Sequence, residues 1–163
     1  MLIVIFTIIQ VSAYTLKKIP KTHAPPPAMI SSSAVYDEQT NSLFSIGGDQ
    51  VQNNKEISTI FTFNLKTQLW KVISSESDYI PQSISLHKSY LRSDRKILSF
   101  GYFTEVLIFD IETEEWTKAV THGQKMKTLS SIGYTSLMYN ETEYVAIFGG
   151  IGENGYSGDL FLY

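Results

Sequence analysis

The sequence contains no cysteine. Disulfide bonds, thiolate nucleophiles and cysteine-ligated metal sites are therefore excluded, although the compartment is not fixed, because a secreted protein can do without disulfides. Positive charge is also sparse, since 13 Lys and Arg residues stand against 16 Asp and Glu residues, with a net charge of −3. Nucleic acid binding requires a clustered positive face, and no basic block is present. We predict no nucleic-acid partner.

The residues that are abundant favour β-structure. Hydrophobic residues make up 43% of the chain and aromatics 13%, including ten tyrosines and nine phenylalanines. Aromatic and β-branched side chains pack well on the face of a pleated sheet. The charged fraction of 18% is too low for a disordered chain. The composition therefore predicts an ordered all-β protein.

The first residues have the layout of a secretory signal. An apolar run over residues 2–9 is followed by Val11-Ser12-Ala13, small or compact residues suited to cleavage after Ala13. The run is shorter than the roughly 20 residues that cross a bilayer, so we predict no membrane span. We expect a signal peptide over 1–13, a linker over 14–25, and a secreted or endomembrane-lumenal protein. The alternative is a buried β-strand in a cytoplasmic chain.

The rest of the chain repeats itself with a period of about 50 residues. An aromatic residue, an Asn or Asp, a Thr and a Trp recur at the same offsets in residues 63–70 and 109–116. An apolar strand ending in glycine precedes each of these segments and appears a third time over 145–150. Each copy is predicted to form four short strands joined by polar turns. The third copy reaches only its third strand.

This pattern of an apolar strand, Gly-Gly, an aromatic residue and a Trp seven positions later resembles the kelch repeat. The matching residues are Gly47, Gly48, Phe63 and Trp70 in the first copy, Gly101, Phe109 and Trp116 in the second, and Gly149, Gly150 and Tyr163 in the third. Tyr102 replaces the second glycine in the middle copy. The copies occupy residues 26–80, 81–122 and 123–163.

The resemblance implies a partial β-propeller of about three blades, each a four-stranded antiparallel sheet, with the last blade incomplete. It also implies a non-enzymatic scaffold whose loops bind another protein. The links between second and third strands vary most, and we expect the binding surface there. An open arc leaves sheet faces and edges uncovered, so we expect a fragment of a longer propeller first, with self-association or a marginal partial propeller as the alternatives.

Candidate chemistry is weak. The three histidines, His23, His87 and His122, have no ligand-like spacing, and we predict no metal or cofactor. Three glutamates in the second copy lie in a predicted turn, where a solvated acidic tip is expected. Some kelch-like propellers are enzymes. The copper oxidases among them depend on a tyrosine–cysteine crosslink, which this chain cannot form because it has no cysteine. A sugar-acting enzyme similar to sialic acid epimerase stays as the alternative, as does an intracellular kelch scaffold.

Asn140-Glu141-Thr142 is an N-glycosylation sequon. It lies in a predicted hairpin turn, where a glycan would project into solvent. We expect Asn140 to be modified if the chain is secreted.

Overall fold

The computed structural model describes Lys18 and residues 25–52, 55–75, 77–82, 84–101, 103–123 and 128–163. These residues form β-strands, turns and bends and no helix. The predicted signal peptide lies outside the described residues, and so does most of the predicted linker. The chain is all-β, as the composition predicted.

The first sheet contains β1 (Met29–Ile30), β2 (Ser33–Asp37), β3 (Ser42–Gln50), β4 (Lys55–Asn64) and β5 (Leu69–Ile73). All pairs are antiparallel, and β1 and β2 share one side of β3. The sheet therefore has four strand positions. The link between the second and third strand positions of this sheet is short, because β3 and β4 stay paired as far as Gln50 and Lys55.

The second sheet has four antiparallel strands, β6 (Lys88–Leu91), β7 (Lys96–Gly101), β8 (Phe103–Asp110) and β9 (Glu115–Lys118). The third sheet follows the same order with β10 (Gly133–Tyr139) and β11 (Thr142–Phe148). A small hairpin of β12 (Ile151–Gly152) and β13 (Gly155–Tyr156) then precedes β14 (Leu160–Leu162), which pairs with β11. Among the described residues the third sheet has three strands.

Matching turns connect the third and fourth strands of the first two sheets. Asn64 Oδ1 accepts the backbone N–H groups two and three residues later, and Asp110 Oδ1 does the same. Gln68 and Glu114 close these turns with positive φ angles of 59° and 57°. An Asx side chain that binds its own following backbone stabilises such a turn. The repeated sequence thus produces a repeated local conformation.

Strands β2, β6 and β10 each begin four residues after the predicted starts of the first strands, which were Met29, Ile84 and Leu129. Ser31, Leu86 and Ser131 each have a positive φ angle, between 54° and 59°, two residues before β2, β6 and β10 begin. A non-glycine residue in the left-handed region interrupts an extended strand. The chain therefore bends at the same place in each copy.

Two hydrophobic cores lie between consecutive sheets. The core between the first and second sheets consists of ten buried side chains, Val35, Phe44, Ile46, Ile60, Ile73, Ile84, Ile97, Leu107, Phe109 and Trp116. The core between the second and third sheets consists of Leu98, Phe100, Val106, Leu129, Ile132, Val145 and Ile147. The second sheet is therefore packed on both faces.

Candidate interaction surface

Backbone contacts at the predicted glycines hold consecutive sheets together. The Gly48 N–H donates to the Ile84 carbonyl at 2.6 Å, which joins the first sheet to the segment leading into the second. A Cβ atom on Gly47, whose φ is 55°, would lie 2.2 Å from that same carbonyl oxygen. The Leu129 N–H likewise donates to the Gly101 carbonyl at 3.1 Å. These glycines permit a close approach that a side chain would block.

The second copy departs from the other two at its glycine. Gly47 and Gly48 have φ angles of 55° and 108°, and Gly149 and Gly150 have nearly the same values, 70° and 104°. Gly101 instead has a φ of 140° and pairs with Phe103. In the second sheet the second and third strands consequently stay paired as far as Gly101 and Phe103.

The aromatic residues of the first two copies lie on the third and fourth strands of their sheets. The Phe63 and Trp70 ring centroids are 4.9 Å apart, and those of Phe109 and Trp116 are 5.1 Å apart. Tyr163 exchanges two backbone hydrogen bonds with Val145, the register position that Phe63 and Phe109 hold in their own sheets. Phe109 and Trp116 pack in the core between the first and second sheets, whereas Phe63 and Trp70 lie on the opposite face of the first sheet.

The link in the third sheet projects from the fold as a hairpin. Its base is fixed to the segment before β10, because Ser130 and Ile151 exchange two backbone hydrogen bonds. Near its tip, Tyr156 is 89% exposed. A Cβ atom added at Gly155 or Gly158 would meet no atom within 4 Å. The hairpin thus presents an uncovered aromatic ring to solvent on a fixed base.

A cavity of about 490 Å³ lies beside this hairpin. It is lined by the hairpin and the segment before β10, namely Thr128, Leu129, Gly152, Glu153, Asn154, Gly155, Tyr156, Ser157, Gly158 and Asp159. The lining offers two carboxylates, one phenol and many glycine backbone groups. It is suited to polar contacts with a partner.

The candidate histidines and glutamates that the structure describes lie in different surroundings. His87 is buried, and burial together with the charge of Lys88 lowers its pKa to about 4. His122 is exposed, and His23 lies outside the described residues. Glu112 and Glu114 form ion pairs with Arg95 and Lys71 at 3.1 and 2.9 Å. Within the described ranges no group of three His, Cys, Asp or Glu residues could hold a metal ion.

Side-chain contacts between turns of neighbouring sheets were not foreseen from the sequence. Arg95 forms an ion pair with the Asp37 carboxylate between the second and first sheets. The Tyr90 hydroxyl donates to Glu143 across the second, and Ser93 Oγ donates to the same carboxylate at 2.8 Å. The hydrogen bond from Tyr90 outweighs burial and lowers the pKa of Glu143 below its ordinary value. The only sequence signal was a charged residue in each hairpin turn.

Asn140 lies at the tip of the β10–β11 hairpin. Asn140 and Glu141 have φ angles of 47° and 63° and separate the paired residues Tyr139 and Thr142. Two central residues with positive φ define a type I′ turn, in which Asn is favoured. Both turn residues are exposed. The sequon is therefore accessible in the folded chain.

No protein-family model matches the chain, and no curated protein matches it in sequence. In the part of the chain that the structure describes, no helix has the length and apolar character needed to cross a membrane.

Proposed function

We propose that this chain is a non-enzymatic protein-binding scaffold built from kelch-type β-propeller blades. The three consecutive antiparallel sheets, their shared cores and their glycine marks support this assignment. The equivalent Asx turns of the first two sheets support it further. In this proposal the third sheet is a blade with three of its four strands described.

The hairpin with Tyr156 is the observation that carries the proposal. Tyrosine is enriched at the energetic centres of protein interfaces, where its ring is buried by the partner and its hydroxyl forms a hydrogen bond. Here that ring is nearly fully exposed on a base fixed by backbone hydrogen bonds. A fixed base limits the entropy lost on binding. We propose that the hairpin binds a protein partner at the adjacent cavity.

Affinity capture with the tagged full chain, followed by binding measurements with the purified partner, tests this function. Tyr156→Ala is expected to weaken binding by about 30-fold or more, the size of an interface hot spot. Tyr36→Ala is the matched control, because Tyr36 is an exposed tyrosine on the first sheet. Equal affinity of both variants for the partner would contradict a role for the hairpin.

We also propose that the protein acts outside the cytoplasm, after removal of residues 1–13. The sequence layout of the N-terminus supports this proposal. N-terminal sequencing of the protein from its native source tests it. A chain beginning at Tyr14 is expected, whereas an intact Met1 on cytoplasmic protein would establish the intracellular alternative.

A further inference from the structure

The third sheet has an apolar face that no described residue covers. The register of β10, β11 and β14 places alternate residues on the side away from the second sheet. These ten positions are Gly133, Thr135, Leu137, Tyr139, Thr142, Tyr144, Ala146, Phe148, Leu160 and Leu162. Leu160 is 63% exposed, Leu162 60% and Phe148 58%. An open face of this kind marks an interaction site.

The corresponding face is covered in the other two sheets. Phe148 holds the register position of Ile46 in the first sheet and Phe100 in the second, because each directly precedes the first glycine. Ile46 is fully buried against the second sheet, and Phe100 is buried against the third. The position is therefore one at which this fold packs a sheet on a sheet. The third face is suited to the same kind of contact.

We infer that this face packs against the same face of a second copy of this chain. None of its ten positions carries a charge, so two copies can meet without bringing like charges together. The outer face of the first sheet, which points away from the second sheet, is less suited to this pairing. Phe61 and Phe63 lie on that face and are buried, with only 6% and 2% of their surface exposed. A two-fold pairing of identical faces is self-complementary and closed.

The available area is consistent with a weak dimer. The exposed aromatic and leucine side chains on this face leave an area on the order of 500 Å² per copy, or about 1,000 Å² in a dimer. This is the lower end for a specific interface. We expect a dimer that dissociates in the micromolar range. The pairing uses a different surface from the Tyr156 hairpin, so it can fail or hold independently of partner binding.

Sedimentation of the full chain over a concentration series tests the pairing. The wild-type chain is expected to shift from monomer to dimer, and Phe148→Lys or Leu162→Lys to raise the dissociation constant by at least about 100-fold. Circular dichroism should be unchanged, and so should thermal unfolding at concentrations where the wild-type chain is monomeric, because both residues are exposed. Val120→Lys is the control, since Val120 is exposed elsewhere and should leave the dimer intact.

A cysteine crosslink distinguishes this arrangement from a head-to-tail one. Because the chain has no cysteine, Ala146→Cys on the central strand of the face introduces a single thiol. Packed sheets are about 10 Å apart, so a bismaleimide of that reach should join two copies through residue 146. A chain that stays monomeric, a dimer that survives Phe148→Lys, or a dimer without this crosslink would each overturn the inference.

Discussion

The Arg95 guanidinium donates to the Asp37 carboxylate at 3.1 Å and joins a turn of the first sheet to a turn of the second. Asp37 is buried, and Thr40 Oγ1 also donates to its Oδ2 atom, at 2.6 Å. Arg95 extends the contact to Glu112 at 3.1 Å. A buried carboxylate that loses its cationic partner stays desolvated, so this pair should matter more than a surface ion pair.

Asp37→Asn is expected to lower the free energy of unfolding by about 2–3 kcal/mol. The amide retains the size of the carboxylate but loses its charge opposite Arg95. Denaturant unfolding measures the change. Asp94→Asn is the matched control, because Asp94 pairs with Arg92 at 2.6 Å on the surface, where a change of less than about 1 kcal/mol is expected. Similar losses in both variants would show that the buried pair has no special weight.

His87 makes the stability of the fold sensitive to mild acid. Burial, and to a lesser extent the charge of Lys88, lowers its pKa from 6.5 to about 4. The folded state therefore disfavours protonation, and the unfolded chain takes up the proton first. The stability that depends on His87 staying neutral is fully present above pH 6.5 and is lost as the pH falls towards 4. Between pH 7 and 5 the free energy of unfolding should fall by about 2 kcal/mol through this group.

Unfolding measured at pH 7 and pH 5 in wild-type and His87→Gln chains tests this pH dependence. The free energy of unfolding of the variant should fall by about 2 kcal/mol less than that of the wild-type chain between the two pH values. An equal loss in both chains would show that His87 does not carry this pH dependence. Asp37 affects stability at a lower pH than His87 does. Burial by itself raises its pKa, but the hydrogen bonds from Thr40 and Arg95 outweigh this and leave the pKa below 3.8.

Gly47 is the position at which a methyl group should cost most. Its φ is 55°, and an added Cβ atom would lie 2.2 Å from the backbone oxygen of Ile84. Backbone cannot move aside as a flexible side chain can, so Gly47→Ala is expected to cost about 3 kcal/mol or more. Gly158→Ala is the control, because no atom lies within 4 Å of its added Cβ. Thermal unfolding of both variants measures the difference, and a stable Gly47→Ala chain would contradict the close contact.

The repeated glycine and Asx residues made much of the fold predictable. Glycine after an apolar strand and the Asx turns beginning at Asn64 and Asp110 are local features, so the residues themselves specify them. The strands of the three sheets span residues 29–73, 88–118 and 133–162. The bends at Ser31 and Leu86 were not predictable, because neither residue type favours a positive φ and tertiary packing imposes it.

Contacts between sheets were harder to predict than the sheets themselves. Trp70 and Trp116 are equivalent in sequence, yet Trp116 is buried in the first core and Trp70 is only half-buried on the opposite face of the first sheet. Burial depends on what lies against each face, which a repeat pattern does not record. The Asp37–Arg95 pair was missed for the same reason, since its partners are 58 residues apart.

The two tryptophans should therefore differ in their contribution to stability. Trp116→Ala removes a ring that is 2% exposed between two sheets, and a loss of about 3–5 kcal/mol is expected. Trp70→Ala should cost less, because its ring is partly in solvent. Denaturant unfolding of each variant measures the two losses. Equal losses would mean that the first sheet's outer face is as closely packed as its inner one.

Asn140 should carry an N-linked glycan when the chain passes through a secretory pathway. The exposed type I′ turn holds the asparagine away from both cores, so a glycan meets no packed surface. Expression in a eukaryotic secretory host should give a mass increase that a deglycosidase removes. Thr142→Ala keeps Asn140 in its turn but destroys the sequon, and should abolish the mass increase. Thr142→Ser retains the sequon and should keep it. A secreted wild-type chain with its unmodified mass would show that the sequon is not used.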